Sequence, residues 1–152
     1  MTTQTLVPLD LPLPADDDRS ARAASLRSRH HVQRGDRDAW LALFTEDAIA
    51  ADPVGPSIFD ETGEGHRGPE ARAAFWDAAI APNSIRMDIY RSHSGANQVA
   101  NVATVTTTLA DGSRAEIDIV AVYTVEESTG LIESMKVYWE MDEMRFHAAP
   151  SA

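Results

Sequence analysis

The sequence predicts an α+β fold, because helical patterns fill its first half and strand patterns its second half. Apolar residues recur at helical spacing before Phe44 and again after Pro69, whereas alternation with a period of two begins at Ile85. Two segments rich in Val, Ile and Thr then flank Asp111-Gly112, a strong hairpin signal. Helices followed by a run of antiparallel strands are typical of α+β proteins and not of doubly wound sheets.

Three helices are expected, over residues 16–34, 37–44 and 69–80. The first begins at Asp16 to Asp18, where carboxylates suit the positive end of the helix dipole, and Gly35 is a plausible residue just past its end. Pro69 suits the first position of the third helix. Glu46-Asp47 ends the second helix, so a structural role is expected for Asp47.

Five strands are expected, at residues 48–51, 85–90, 99–109, 115–125 and 131–144. The first is stopped by Asp52-Pro53-Val54-Gly55, because Asp-Pro favours an extended residue followed by a turn. The stretch from Ser57 to Gly68 is polar, contains glycine and is expected to form a loop. A curved sheet wrapped around three helices leaves an interior mouth, which is a usual place for a small-molecule site.

The 152 residues suit one domain, with an expected extent of 17–147. Residues 1–16 are expected to form a flexible arm, since Pro8, Pro12 and Pro14 continue neither a helix nor a central strand. The leucines of this arm could instead dock on a neighbouring subunit. Residues 148–152 are expected to be a short tail.

Composition excludes several classes of function. The net charge of -11 argues against a nucleic-acid partner and against an anionic membrane surface. Cysteine is absent, which excludes disulfides and thiolate catalysis and suits a cytoplasmic location. No apolar run approaches the length of a membrane span, and the first residues do not resemble a secretory signal.

No established metal or nucleotide motif is found, so neither a metal nor an organic cofactor is expected. His66 lies near Asp60, Glu61 and Glu64, but their spacing matches no known metal site and favours a solvated loop. The sequence contains no Ser-His-Asp elbow, P-loop or glycine fingerprint.

The run from Ala42-Leu43-Phe44 to Asp52-Pro53-Val54-Gly55 resembles the ketosteroid isomerase family. The similarity covers roughly residues 26–140, including Phe75-Trp76 and the strand from Met135 to Trp139, and looks strongest for the actinobacterial steroid-isomerase-like branch. It implies the cone-shaped fold of the nuclear transport factor 2 (NTF2)-like proteins, with three N-terminal helices packed in a curved, mostly antiparallel sheet around an apolar pocket. SnoaL-like polyketide cyclases and limonene epoxide hydrolases are the broader relatives.

This resemblance implies that Asp52 is the catalytic base, because an Asp at the matching position of the isomerases moves a proton between two carbons of the steroid. A carboxylate that faces an apolar cavity can have a raised pKa, which makes it a better base. The alternative is a turn residue whose carboxylate accepts backbone N–H bonds. The Tyr and protonated Asp that stabilise the dienolate in the isomerases fall on Ser28 and Ala121. A fast isomerase therefore requires other donors.

The resemblance also implies a substrate-binding set of nine residues: Ser28, Val32, Trp76, Ile119, Ala121, Tyr123, Met135, Val137 and Trp139. A period of two puts Tyr123 on the same face as Ala121, where it could supply a phenolic donor or merely pack in the core. Asp118 has the opposite parity and is expected to point away. Trp76 and Trp139 could stack on a flat ligand or pack in the core.

The expected function is binding of a small, largely apolar carbonyl compound, steroid- or polyketide-like, with possible proton transfer by Asp52. Three alternatives remain open: a non-catalytic steroid or lipid carrier, an interaction module and an epoxide-hydrolase-like enzyme. The last needs paired acids and an arginine in the cavity to activate water, and Arg86 or Arg91 could supply the arginine. His30 and His31 follow Ser28 on the first helix and could assist proton transfer. A homodimer is expected, through exposed apolar residues of the late strands such as Val137.

Overall fold

The computed structural model describes residues 6–151. It contains three α-helices, α1 (Ala21–Arg34), α2 (Arg37–Leu41) and α3 (Pro69–Phe75), and α3 continues into a π-helical turn, Trp76–Ile80. Helix α1 begins later than predicted, because the Ser20 side chain caps it by accepting a hydrogen bond from the Ala23 N–H at 3.1 Å. It ends as predicted at Gly35, whose φ of 71° is the left-handed conformation that glycine adopts without strain.

The sheet has seven strands: β1 (Phe44–Ala51), β2 (His66–Arg67), β3 (Ser84–Gly95), β4 (Gln98–Thr108), β5 (Arg114–Val125), β6 (Ile132–Tyr138) and β7 (Arg145–His147). Six of them lie in the order β2-β1-β6-β5-β4-β3, and β7 pairs with β5. Strands β1 and β6 are parallel and the other pairs are antiparallel. The predicted α+β class and the hairpin at Asp111-Gly112 are confirmed.

Several predicted boundaries were wrong. The first strand begins at Phe44 and not at Ala48, so Glu46 and Asp47 lie within it and do not end the second helix. The second helix ends at Leu41 and not at Phe44, because the chain at this point joins the sheet, with the Ile132 N–H donating to the Leu43 carbonyl at 2.8 Å. The last predicted strand ends at Tyr138 and not at Met144. A 3₁₀ turn, Met141–Glu143, follows it and leads into β7.

The sheet curls around α1, which packs across β3, β4 and β5. Alternate residues of the long strands point into the space between sheet and helices, as the burial pattern of β5 shows, with Ile117, Ile119 and Ala121 buried. Asp118 has the opposite parity, as predicted, and is exposed. The core and the concave face of the sheet therefore coincide, and this places the candidate site described below.

The N-terminal segment contacts the domain, although residues 6–16 form no helix or strand. The Leu9 N–H donates to the Ile89 carbonyl at 2.8 Å, and Arg29 donates to the Leu11 carbonyl at 3.1 Å. The predicted flexibility of this arm stays a prediction, as do the boundaries of the tail. Residues 1–5 of the predicted arm and Ala152 of the predicted tail lie outside the described residues. No helix within residues 6–151 is long and apolar enough to cross a membrane.

Candidate functional site

A cavity of about 310 Å³ opens between the concave face of the sheet and the helices. Its walls are mostly apolar, and one of them is formed by alternate residues of β5: Ala115, Ile117, Ile119, Ala121 and Tyr123. Polar side chains enter it at only a few positions. Such a cavity lies within the size range of small-molecule sites, which combine apolar walls with few polar groups that fix orientation.

Asp52 lies directly after β1, with its side chain in the wall of the cavity. Its position is fixed from the adjacent strand, since the Val54 N–H donates to the Val137 carbonyl at 2.8 Å. Burial raises the pKa of the Asp52 carboxyl, and a hydrogen bond from Trp139 partly offsets this rise. In that bond the indole Nε1–H donates to Asp52 Oδ1 at 2.6 Å. The accessible part of Asp52 faces the cavity, so a bound ligand would meet a carboxylate that holds few hydrogen bonds.

A second polar group of the cavity is built by Tyr123, Ser28 and Trp40. The Trp40 Nε1–H donates to Ser28 Oγ at 3.0 Å, and the Tyr123 hydroxyl donates to the same oxygen at 3.3 Å. All three side chains are buried. Burial raises the pKa of Tyr123 to about 12, and the charge of Asp52 contributes to this rise. Tyr123 is therefore a neutral phenol close to Asp52 and able to donate a hydrogen bond.

Eight of the nine residues predicted to bind substrate line the cavity: Ser28, Val32, Ile119, Ala121, Tyr123, Met135, Val137 and Trp139. Their contacts with a substrate stay a prediction. Trp76 does not line the cavity, because it is 2 % exposed and packs behind Trp40, with ring centroids 5.3 Å apart. Val137 faces the cavity and is buried, so the expectation that it is exposed for dimerisation was wrong.

The other candidate residues lie away from the cavity walls. His30 and His31 pack edge to face on α1, and His30 borders a small cleft beside the N-terminal arm. His66 stacks on Phe75, while Asp60 accepts hydrogen bonds from Gly63 and Gly65 and so organises its own loop. Within residues 6–151 no group of three or more His, Asp or Glu side chains could hold a metal ion.

The arginines offered for an epoxide-hydrolase-like site also lie outside it. Arg86 is exposed and pairs with Asp88 at 2.9 Å, and Arg91 is not among the cavity residues. No arginine in the described part of the chain lines the cavity. The paired acids and arginine that this reaction needs are therefore not assembled at Asp52.

Sequence reasoning missed three polar groups of the cavity. Trp40 was assigned to the buried side of the second helix, and nothing in its spacing indicated a bond to Ser28. Asn83 follows the π-helical turn, and Thr107 shares the parity of Ala103 and Val105 on β4. The alternation along β4 was the one sequence pattern that could have predicted Thr107 as a cavity residue.

Comparison with known proteins gives a family. The SnoaL-like domain matches residues 26–135. The chain is similar to the structure of Delta 5-3-ketosteroid isomerase from Mycobacterium sp., with 36% identity, a TM-score of 0.79 and coverage of 84% of this chain and 98% of that chain. It is also similar to RV0760c from Mycobacterium tuberculosis in complex with estradiol-17beta-hemisuccinate, with 34% identity, a TM-score of 0.78 and coverage of 83% and 98%.

A more distant likeness concerns the fold alone. The epoxide hydrolase/cyclase-like enzyme SalBIII shares 24% identity at a TM-score of 0.69, over 82% of this chain and 93% of that chain. The comparison with curated proteins found no match. The match over residues 26–135, the identities above 30% and the curled sheet around an apolar pocket agree. The chain belongs to the SnoaL-like family of the NTF2-like superfamily, and its fold is the cone-shaped fold of ketosteroid isomerase-like proteins.

Proposed function

We propose that this protein binds a small, largely apolar carbonyl compound, steroid- or polyketide-like, and moves a proton next to the carbonyl with Asp52 as the base. The observation that carries the proposal is a carboxyl of raised pKa at the wall of a mostly apolar cavity. A raised pKa brings a carboxylate closer to the basicity needed to remove a proton from carbon. The mycobacterial isomerase and the steroid complex among the structural neighbours support the class of ligand.

The proposed step conserves atoms and electrons without a cofactor. Asp52 takes a proton from the carbon next to the carbonyl, and the electron pair of the broken C–H bond moves toward the carbonyl oxygen as a dienolate forms. The protonated Asp52 then returns the proton to a different carbon, which shifts the double bond. Trp139 holds the carboxylate in place through its 2.6 Å bond to Oδ1 and leaves Oδ2 for the substrate.

Tyr123 is the proposed donor to the developing oxyanion. An indole N–H can only donate, so Trp40 occupies one acceptor site of Ser28 Oγ and leaves the Ser28 hydroxyl hydrogen free to rotate. When a carbonyl oxygen enters the cavity, the bond at 3.3 Å can reverse, with Ser28 donating to Tyr123 and Tyr123 donating to the ligand. One such donor typically contributes about a hundred- to a thousandfold in rate.

A non-catalytic carrier is the second candidate, and one observation favours it. Ala121 lines the cavity where the resemblance implies a protonated Asp, so one of the two donors of the isomerases has no substitute in its own place. A carrier needs the apolar walls and not the base. It would bind a steroid equally well as wild type and as Asp52→Asn, and would not convert it.

The test is conversion of a 5-ene-3-ketosteroid to the conjugated 4-ene ketone, followed by ultraviolet absorbance, with steroid affinity measured in the same samples by tryptophan quenching. Asp52→Asn should abolish conversion and retain binding. Asp47→Asn is the matched control, because Asp47 lies on β1, the strand that precedes Asp52, is exposed and does not line the cavity. Equal conversion by wild type and Asp52→Asn would contradict the assignment of the base, and binding without conversion in wild type would favour a carrier or an enzyme for a different carbonyl substrate.

A homodimer through the outer face of the sheet is part of the same proposal. Val120 and Tyr138 are cross-strand partners on β5 and β6, and they are 38% and 47% exposed. Their parity is opposite to that of the cavity residues, so they form an apolar pair on the convex face. A cytoplasmic location, expected from the absence of cysteine, stays a prediction.

A further inference from the structure

We propose that Asn83 and Thr107 form a second polar subsite, which takes a hydroxyl group at the end of the ligand opposite the carbonyl. The inference rests on the proposed function, since Asp52 and Tyr123 define where the carbonyl end lies. It narrows the ligand to a rigid, largely apolar molecule with a hydrogen-bonding oxygen at each end. Both residues line the cavity, and neither has a role in the proton transfer.

The subsite lies at the far end of the cavity from Tyr123. Thr107 pairs with Ala115 at the start of β5, whereas Tyr123 lies eight residues further along the same strand. At about 3.3 Å per residue this separation reaches at most about 26 Å along the strand, and less in a curled sheet. Ala115 also pairs with Phe146, which is 71% exposed and lines the cavity, so this end is the mouth.

The two side chains lie at the same end of the β3–β4 pair. Ile85 of β3 is the register partner of Thr107, and Asn83 lies two residues before Ile85. Asn83 directly precedes β3, which begins at Ser84, and both side chains line the cavity at this end, so one ligand group there can approach both.

Their hydrogen-bonding capacity suits a hydroxyl group. Asn83 Nδ2 donates to the Ala79 carbonyl at 3.2 Å, which orients the carboxamide and leaves Oδ1 as an acceptor. Thr107 offers a hydroxyl that can donate. Among the described residues neither Asn83 Oδ1 nor Thr107 Oγ1 has a hydrogen-bond partner. A ligand hydroxyl can donate to Asn83 and accept from Thr107, whereas a ketone can only accept and a C–H group can do neither.

The apolar walls around the subsite strengthen its preference for a ligand hydroxyl group. Around Asn83 and Thr107 the cavity is lined by apolar side chains, among them Ile85, Leu109 and Ala115. A ligand whose end at this subsite is hydrocarbon would cover Asn83 and Thr107. Both side chains would then lose their hydrogen bonds to water and gain none to the ligand. Since both groups are only partly buried, the expected effect is about two- to tenfold in affinity for each hydrogen bond.

The experiment compares three stable 4-ene-3-ketosteroids that differ only in carrying a 17β-hydroxyl, a 17-ketone or hydrogen. Dissociation constants are measured by tryptophan quenching for wild type, Asn83→Ala, Thr107→Val and the control Thr106→Val. Thr106 makes the control matched, because it neighbours Thr107 in sequence and faces the opposite side of β4. Circular dichroism melting checks that each variant is folded.

We expect the order hydroxyl, ketone, hydrogen in wild type, with the hydroxyl compound at least threefold tighter than the hydrogen compound. This gap should shrink in Thr107→Val and Asn83→Ala and persist in Thr106→Val. Equal affinities in wild type, or a gap that survives in both subsite variants, would overturn the subsite while leaving the proposed function in place. Binding of none of the three by wild type would overturn the proposed function itself.

Discussion

Asp52 is held by two opposing effects, and both follow from its neighbours. Burial disfavours its charge, while the Trp139 indole N–H stabilises that charge through the hydrogen bond at 2.6 Å. The outcome is a pKa above the ordinary value together with a fixed orientation. A base needs both, because proton transfer requires reach as well as basicity.

The role of Tyr123 gives the first prediction. Tyr123→Phe removes the phenolic donor and keeps the ring, so turnover should fall by about a hundred- to a thousandfold while steroid affinity changes little. The measurement is kcat and KM for the 5-ene-3-ketosteroid. Ser28→Ala is the comparison variant, because it keeps the Tyr123 phenol and removes the hydroxyl group to which the phenol is hydrogen-bonded. We expect a smaller loss of turnover in this variant. A rate unchanged in Tyr123→Phe would contradict the assignment of the oxyanion donor.

The raised pKa of Asp52 also predicts a stability effect. A carboxyl whose pKa is higher in the folded than in the unfolded chain binds its proton more tightly when folded. Stability is therefore lost as pH rises from the ordinary Asp value through the raised value. Asp52→Asn should melt at a higher temperature than wild type at neutral pH, and the difference should shrink below the ordinary Asp value. A melting difference independent of pH would contradict this origin.

Individual residues show which parts of the candidate site could be predicted from the sequence. The resemblance placed Ala121 at the cavity, and the period of two of β5 then put Ile119 and Tyr123 on the same face. Trp76 does not line the cavity, because access of neighbouring aromatic residues on helical segments depends on how the helices pack, which the sequence does not indicate. The Asp52–Trp139 bond spans 87 positions, and no local pattern reports such a contact.

At the scale of elements, the irregular strand β1 depends on a buried arginine. The register between β1 and β6 shifts between Phe44 and Ile49, which interrupts the regular pairing of the two strands there. Arg72 of α3 is 2% exposed and donates to the carbonyls of Thr45, Glu46 and Ala48, the last at 2.7 Å. It thereby ties α3 to the strand that carries Asp52 at its end.

Arg72→Met should therefore destabilise the fold by about 2–4 kcal/mol, because it removes charge-assisted hydrogen bonds to three carbonyls of β1 while retaining an apolar stem of similar length. Urea unfolding measures the change. Arg67→Met is a suitable control, since Arg67 is exposed and donates to a single carbonyl, that of Asp47. If the two variants lost similar, small amounts of stability, Arg72 would not be the support of β1.

Element boundaries were the weakest part of the sequence prediction, for a physical reason. Phe44 and Leu43 have apolar side chains that suit a helix or a strand equally well. What decides is the backbone pairing of Leu43 with Ile132, which lies in a distant part of the chain. The short strand β7 was hidden in the same way, because its pairing with β5 follows a turn that the sequence did not signal.

At the scale of the whole molecule, two of the apolar surfaces formed by residues 6–151 have different expected uses: the cavity on the concave face, and the Val120–Tyr138 pair on the convex face. The net charge of -11 disfavours nonspecific association between copies, so dimerisation would require a specific apolar contact. The cone shape follows from the strand order and the curl of the sheet, and it was predicted from resemblance and not from periodicity.

We expect sedimentation equilibrium at micromolar concentration to give twice the chain mass of 16.6 kDa. Tyr138→Lys should shift the protein toward monomer, because it puts a charge at the centre of the proposed contact. Phe146→Lys is the matched control, with the same kind of change at an exposed apolar residue of the cavity mouth. A monomeric wild type, or the same fraction of dimer in Tyr138→Lys and Phe146→Lys, would contradict dimerisation through this face.

The measurement that most directly tests Asp52 as the base is the pH dependence of kcat/KM for wild type and Trp139→Phe. An ionised base makes the rate fall as pH drops through its pKa, so wild type should show an acidic limb above the ordinary value of an Asp carboxyl. Because the Trp139 bond lowers this pKa, its removal should move the limb to higher pH. A limb at or below the ordinary value, or one that Trp139→Phe leaves in place, would contradict the account.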